Sequence, residues 1–263
     1  MARLGFGLPL LLLVSIFLAA QNPVSTTTQG ATLAAQSIAA MTGGTAVTDV
    51  TINGNATWFA GSDTETATMT LLGKGTTESK VSITLTSGSR IETRNAANGF
   101  PQGQWVNPNG TSGAYAWHNC ETDAVWFFPV LSSLANFANS SFVFSYVGQE
   151  TWNGATAQHV RVYKVAPGST SPIASLAQTL STMDFYLDPT SSLPLAIDFN
   201  AHPDNDTNTN IAREVRFANY QVVNGVEVPF HLQELINGGL ALDIQVTTAT
   251  LNSGLSDSQF IAQ

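Results

Sequence analysis

One cysteine, Cys120, stands in 263 residues. No internal disulfide is possible, so the fold must be held by its core. Charge is scarce as well. Only 10% of residues are Asp, Glu, Lys or Arg, and 18 acids against nine bases leave a net charge of −9. A chain this poor in Lys and Arg lacks what a nucleic-acid backbone or an anionic lipid surface requires, so no nucleic acid is expected as a partner. Beyond residue 20 no apolar run is long enough to span a bilayer. The four histidines, His118, His159, His202 and His231, are scattered without the paired spacing of metal ligands. No Gly-rich nucleophile elbow accompanies Cys120. No catalytic residue, no metal and no cofactor is therefore expected.

What is present begins at the N-terminus. Arg3 is the only charge before Asp49. Residues 4–20, LGFGLPLLLLVSIFLAA, are strongly apolar and end on the small pair Ala19-Ala20. A short basic start, an apolar middle and a small-residue exit describe a secretory signal cut after Ala20. Cleavage leaves no membrane anchor and places the protein in a periplasm or outside the cell. Residues 21–29 are polar with a proline and read as a flexible leader. The remainder, 30–263, is long enough for one domain with a sizeable core.

The pattern along that domain is mostly period two. Residues 31–41 form an amphipathic helix ended by Gly43-Gly44 as a left-handed cap. From residue 46, Val50 and Ile52 alternate with polar neighbours, then Ala67, Met69 and Leu71, then Val81, Ile83 and Leu85. Such alternation describes antiparallel strands with one buried face and one Thr-covered face. Asn53-Gly54, Asn153-Gly154, Asn224-Gly225 and Asn237-Gly238 mark tight hairpin turns. Residues 95–114 read as a loop. Residues 122–138, TDAVWFFPVLSSLANFA, read as a helix capped by Thr122 or Asp123 and kinked or split near Phe128 by Pro129. A short helix is expected over 173–181. About ten strands in one sheet must curl or close. The expected fold is α+β and mostly antiparallel β, a strongly curved incomplete barrel with two or three covering helices in its concavity.

Several segments resemble a known family. Asp184-Phe185-Tyr186-Leu187-Asp188-Pro189 with Leu193-Pro194-Leu195, then Tyr220 to Phe230 (YQVVNGVEVPF), then Leu251-Asn252-Ser253-Gly254-Leu255 through Phe260 are similar to the periplasmic lipoprotein-carrier superfamily, LolA/LolB-like, and its exported relatives. Tyr146-Val147-Gly148-Gln149-Glu150 with Asn153-Gly154 is similar to a mid-sheet hairpin there. The resemblance implies a helix-closed half-barrel with a cavity for acyl chains, in a Gram-negative type envelope. It carries no named catalytic or handover residue.

Three constellations have a chemical reading. His118 and Cys120, two apart on a strand, face the same way and would pair an imidazole with a thiol; a buried inert cysteine is the commoner case. Asp204-Asn205-Asp206-Thr207-Asn208 matches the start of a calcium loop but lacks its glycine and its twelfth-position glutamate, so a solvated hairpin tip explains it. Asp184, Tyr186 and Asp188 share one strand face, and Asp198 and Asn200 another, with no pair singled out for acid–base work. The remaining signal is apolar. Met69, Leu71, Ile83 and Leu85 from the sheet, and Trp126, Phe127, Phe128, Phe142 and Phe144 on or beside the covering helix, would line a space between helix and sheet. The functional expectation is an exported protein that binds or carries an apolar ligand such as a lipid, an acyl chain or a lipidated protein. The alternative is an interaction module that docks an envelope protein partner.

Overall fold

A computed structural model describes residues 26–96, 99–166, 168 and 171–261. Residues 1–20, read above as a secretory signal, and most of the expected leader lie outside the described residues. Helix α1 (Thr28–Thr42) begins slightly earlier than the sequence pattern indicates, so Thr28 and Gln29 are helical. The Thr27 side chain caps it by accepting from the Gly30 amide at 2.9 Å. Gly43, at φ 55°, ends it as expected, its amide donating to Ala39.

Thirteen strands follow: β1 (Asp49–Ala60), β2 (Asp63–Lys74), β3 (Glu78–Leu85), β4 (Gly88–Asn95), β5 (Gln102–Val106), β6 (Ser112–Ala114), β7 (Phe142–Trp152), β8 (Ala155–Lys164), β9 (Met183–Leu187), β10 (Pro194–Ala201), β11 (Ile211–Val223), β12 (Val226–Ile236) and β13 (Gly239–Leu251). They form one antiparallel sheet in the order β6-β5-β4-β3-β2-β1-β13-β12-β11-β10-β9-β8-β7. Two meander arms, β1–β6 and β7–β13, are thus joined by a seam between the first and last strands. Thr51 faces Thr250 across it, and Ala56 faces Ile244. The sheet is an incomplete barrel, mostly β with covering segments, and its strand count exceeds the ten expected.

Of the four Asn-Gly pairs named above, three make hairpin turns. Asn153, Asn224 and Asn237 have φ of 46°, 48° and 49°, and the glycines that follow are also left-handed, as a type I′ turn requires. Asn53-Gly54 does not turn. It lies within β1 where the register with β13 shifts. A Cβ on Gly54 would sit 2.6 Å from the Gln245 carbonyl oxygen. This glycine serves close approach at a bulge, the other use of glycine in a strand.

The segment read as a loop over 95–114 contains β5 and β6. Both are short, and glycine seats their aromatic rings. Trp105 pairs with Gly113 across the two strands and lies over it, and Tyr115 lies over Gly103.

The segment read as a helix over 122–138 is not α-helical. It is a strap of turns with 3-10 turns at Pro129–Leu131 and Ser133–Asn136. Pro129 has no amide for a helical ladder. Asp123, one of the two expected caps, instead accepts from the Ser133 amide at 2.8 Å and folds the strap back on itself. Helix α2 (Pro172–Leu180) matches its prediction, but it buries only Leu180, against β8 and the 117–120 turn.

The core lies on the concave face. Val50 and Ile52 of β1, Met69 and Leu71 of β2, Phe185 of β9 and Val228 of β12 pack in one cluster with Ala34 and Met41 of α1 and Val125–Phe128, Val130, Leu131 and Leu134 of the strap. Gly73 opens a seat for Val125: a Cβ there would lie 2.6 Å from the Val125 Cγ1 atom. The end of β7 exposed at the sheet edge is tied down by the chain before α1. Thr27 donates its amide to Phe144 O at 2.8 Å and accepts the Tyr146 amide at 3.0 Å.

The C-terminal tail motif also has a physical account. The Asn252 side chain accepts the Thr48 amide at 2.7 Å and donates to Ala46 O at 2.9 Å. The Asp49 carboxylate accepts from the Ser253 amide at 2.8 Å and the Gly254 amide at 3.1 Å. Burial alone would raise its pKa, but these bonds outweigh that and hold it below the ordinary carboxylate value.

Candidate functional site

Cross-strand register shows how the concave face changes character along the sheet. Val81 and Ile83 of β3 belong to the core, and their partners on β4 are Glu92 and Arg90. Charge therefore begins on the same face one strand further on, and Arg94 follows at the next inward position. On the other arm, Phe199 pairs with Arg213 across β10 and β11 on the inward face. Arg213 is ion-paired with Glu234 of β12.

The sheet curls until these two charged stretches meet. A cleft of about 370 Å³ lies between them, bounded by Arg90, Glu92 and Arg94, by Trp105 and Tyr115, by Phe199 and Arg213, and by Thr122 and Trp126 of the strap. That volume falls within the roughly 300–1,000 Å³ of small-molecule sites. Within it Arg90 donates to Glu92 at 2.7 Å and to the Asn107 side chain at 2.6 Å. Burial, reinforced by the Glu92 charge, drives the Tyr115 phenol well above its ordinary pKa, so it stays protonated.

Arg94 joins the cleft to the strap. Its two terminal nitrogens donate to the carbonyls of Asp123 at 2.9 Å and Thr122 at 2.6 Å. Burial lowers its pKa. Lys164 of β8 holds the strap from the other arm, donating to the Glu121 carbonyl at 2.6 Å. Asn119 exchanges bonds with the His202 backbone, each at 2.8 Å. The strap thus crosses from one sheet edge to the other and is fastened by side chains of both arms.

The nine apolar residues named from the sequence fall into two groups. Met69, Leu71, Phe127, Phe128 and Phe144 are at most 2% exposed, and Ile83 and Leu85 are buried with them. They belong to one buried cluster, and Leu85 also borders an open hollow of about 590 Å³ together with Ala56 and Ala67. Trp126 stands at the boundary, edge-on to Phe127 at 5.6 Å between ring centres and facing the polar cleft. Phe142 is half-buried beside Asp123 and Lys164 at a pocket of only about 50 Å³.

His118 and Cys120 lie on a 3-10 turn, Trp117–Cys120, not on a strand. The His118 ring nitrogen meets Pro203 O at 3.2 Å, and the Cys120 thiol donates to Ala116 O at 3.9 Å. Burial pushes that thiol up, away from the thiolate a nucleophile needs. The Asp204–Asn208 tip is a turn in which Asp206 accepts the Asn208 amide at 2.8 Å. Among the described residues no cluster of three or more His, Cys, Asp or Glu is arranged to hold a metal. Asp188 caps its own turn, accepting from Ser191 at 2.7 Å.

Asp184 and Asp198 pair across β9 and β10 on the convex face. Arg161 holds Asp184 with two bonds, at 2.8 and 3.1 Å. Asp198 lacks such a partner. Burial, then the nearby Glu214 charge, raises its pKa to about 6. A carboxyl raised in the folded state favours folding when protonated, so its contribution is lost as pH rises from its unfolded value toward 6. Asp198→Asn is expected to raise the melting temperature at pH 7 and to flatten its change between pH 4 and 6. Melting curves across that range check this; an unchanged slope removes Asp198 from the account.

Solved structures share this architecture. A domain assigned to outer membrane lipoprotein sorting from Vibrio parahaemolyticus matches with a TM-score of 0.56 at 14% identity, over 88% of this chain and 96% of that one. A DUF1329 family protein from Desulfovibrio piger matches at 0.56 and 11%, over 90% and 98%. A LolA superfamily protein from Nitrosomonas europaea matches at 0.54 and 10%, over 89% and 97%. The fold is LolA-like. The expectation drawn from the late strand segments and the tail is met at the level of architecture. No protein-family model matches the chain, and no curated protein matches it in sequence. At these identities the likeness to LolA-like structures carries the fold alone.

Sequence reasoning missed the cleft. Its residues are about 120 positions apart on β4 and β11 and meet only because the sheet curls. One signal was available: with nine Lys and Arg in the whole chain, Arg90 and Arg94 stand on alternate positions in phase with the buried residues of β3.

Proposed function

We propose that this is an exported, periplasmic or secreted, non-enzymatic module that binds or carries an apolar ligand such as a lipid or an acyl chain. The ligand enters between the strap and the concave sheet. One observation carries the reading. Beside α1, the apolar concave face is covered by a segment without α-helix, fastened through residues 119–123 by Arg94, Lys164 and Asn119 rather than woven into the sheet. Such a cover exchanges one set of apolar contacts for another when it lifts, so an acyl chain replaces the strap at little net cost in burial. The LolA-like fold supports the same reading by analogy.

A crosslink tests it directly. Gly73 and Val125 touch, so Gly73→Cys with Val125→Cys, in a Cys120→Ser background, places two thiols at disulfide range. Native mass spectrometry is expected to find apolar ligand on the reduced protein and not on the oxidised one. Equal loading of both forms would show that the strap does not gate the site. Absence of ligand from the unmodified protein, after gentle purification and after incubation with lipid, would favour the protein-docking alternative.

A further inference from the structure

We propose that the cleft between β4 and β11 receives the anionic group of an amphiphile, a carboxylate or phosphate, whose apolar chain continues past Trp126 under the strap. This rests on the carrier reading and adds the chemistry of the ligand's polar end.

The distribution of charge is the first argument. The chain carries net charge −9 with nine Lys and Arg in all, yet Arg90, Arg94 and Arg213 converge on this one cleft, against two carboxylates in its lining, Glu92 and Asp204. Two of them are neutralised locally, Arg90 by Glu92 and Arg213 by Glu234. Arg94 is not. Its terminal nitrogens donate to the carbonyls of Thr122 and Asp123, with the Cys120 thiol also beside it, and its Nε has no partner. It is enclosed by the strap and the sheet while keeping an edge on the cleft. A guanidinium has five donors, and leaving one of them enclosed and unpartnered is costly. An oxyanion in the cleft would supply that counter-charge through a charge-assisted bond.

The walls decide between an amphiphile and a bare anion. Trp105, Trp126 and Phe199 form the apolar side of the cleft. Trp105 packs closely against Gly113, where a Cβ would lie 2.7 Å from its ring. Trp126 belongs to the strap, so a chain lying on it leads toward Phe127 and the apolar concave face. A free phosphate would leave these rings unused.

The test measures binding to the purified protein by tryptophan fluorescence and calorimetry, with decanoate, methyl decanoate and inorganic phosphate as probes. Decanoate is expected to bind at least about tenfold more tightly than its methyl ester, the effect of one charge-assisted contact. In Arg90→Gln the ratio of the two affinities is expected to fall at least about threefold, because that charge borders the same space. Equal affinities for decanoate and the ester would overturn this inference and leave the carrier reading intact. Failure of both to bind would overturn both readings. Phosphate binding as tightly as decanoate would mean that the chain contributes nothing and the amphiphile is wrong. An affinity ratio unchanged in Arg90→Gln would place the anion elsewhere and overturn the assignment.

Discussion

Replacing Phe128 with alanine should destabilise the protein by about 3–5 kcal/mol. Phe128 is fully buried and sits at the centre of the cluster shared by sheet, strap and α1. Truncation removes its transfer energy and leaves a void that the strap fills only in part, because Pro129 restrains the next residue. For a domain of this size the melting temperature should fall by about 6–20 °C, at roughly 2–4 °C per kcal/mol. Phe128→Leu keeps most of the volume and should cost less than about 1.5 kcal/mol. Denaturant titrations of both variants check the pair. A loss under about 1 kcal/mol for Phe128→Ala would mean that the strap opens independently of the sheet.

Arg94→Met should cost about 2–4 kcal/mol and should loosen the strap selectively. Methionine matches the stem of arginine but donates nothing, so the carbonyls of Thr122 and Asp123 lose their partners, at roughly 1–3 kcal/mol each while they stay buried. Relief of the buried charge offsets part of that cost. Arg94→Lys should not rescue fully, since a point ammonium cannot fork to two carbonyls as the guanidinium does. Amide hydrogen exchange supplies the local readout: residues 124–134 should lose protection well before β1 and β13. Uniform loss across the sheet would show that Arg94 supports the fold as a whole and not the strap.

Both predictions concern the segment where sequence pattern and structure diverge. TDAVWFFPVLSSLANFA has helical spacing of apolar residues, but periodicity reports which side chains are buried, not which backbone buries them. Here the strap buries them through turns, because Pro129 interrupts the amide ladder and Asp123 prefers the Ser133 amide. The strands were legible because one face is apolar and the other is Thr and Asn. The three hairpin turns at Asn153, Asn224 and Asn237 were legible because left-handed backbone at two successive residues suits Asn-Gly. Asn53-Gly54 carries the same letters and does a different job, since Gly54 meets the Gln245 backbone of a strand far along the chain. Strands β5 and β6 were hidden because glycines, which usually mark loops, serve there as seats for Trp105 and Tyr115. The cleft was hidden for a geometric reason: curvature brings Arg90 and Arg213 together, and curvature is not written at any one position.

The seam between β1 and β13 has a kinetic consequence. Thr48 and Asn252, bonded across it, are 204 residues apart. Each arm assembles by neighbouring hairpins, which form in microseconds. Joining the arms closes a loop of nearly the whole chain, and contacts of such high sequence separation slow folding. Until β13 arrives, β1 is an open edge whose inward face is Val50, Ile52 and Ala56, a template for pairing with the wrong chain. A nascent molecule lacking its last 25 residues, from Gly239 of β13 onward, would leave β1 unpaired on that side and remain prone to aggregate, so C-terminal truncation should be far more harmful than trimming before Thr26.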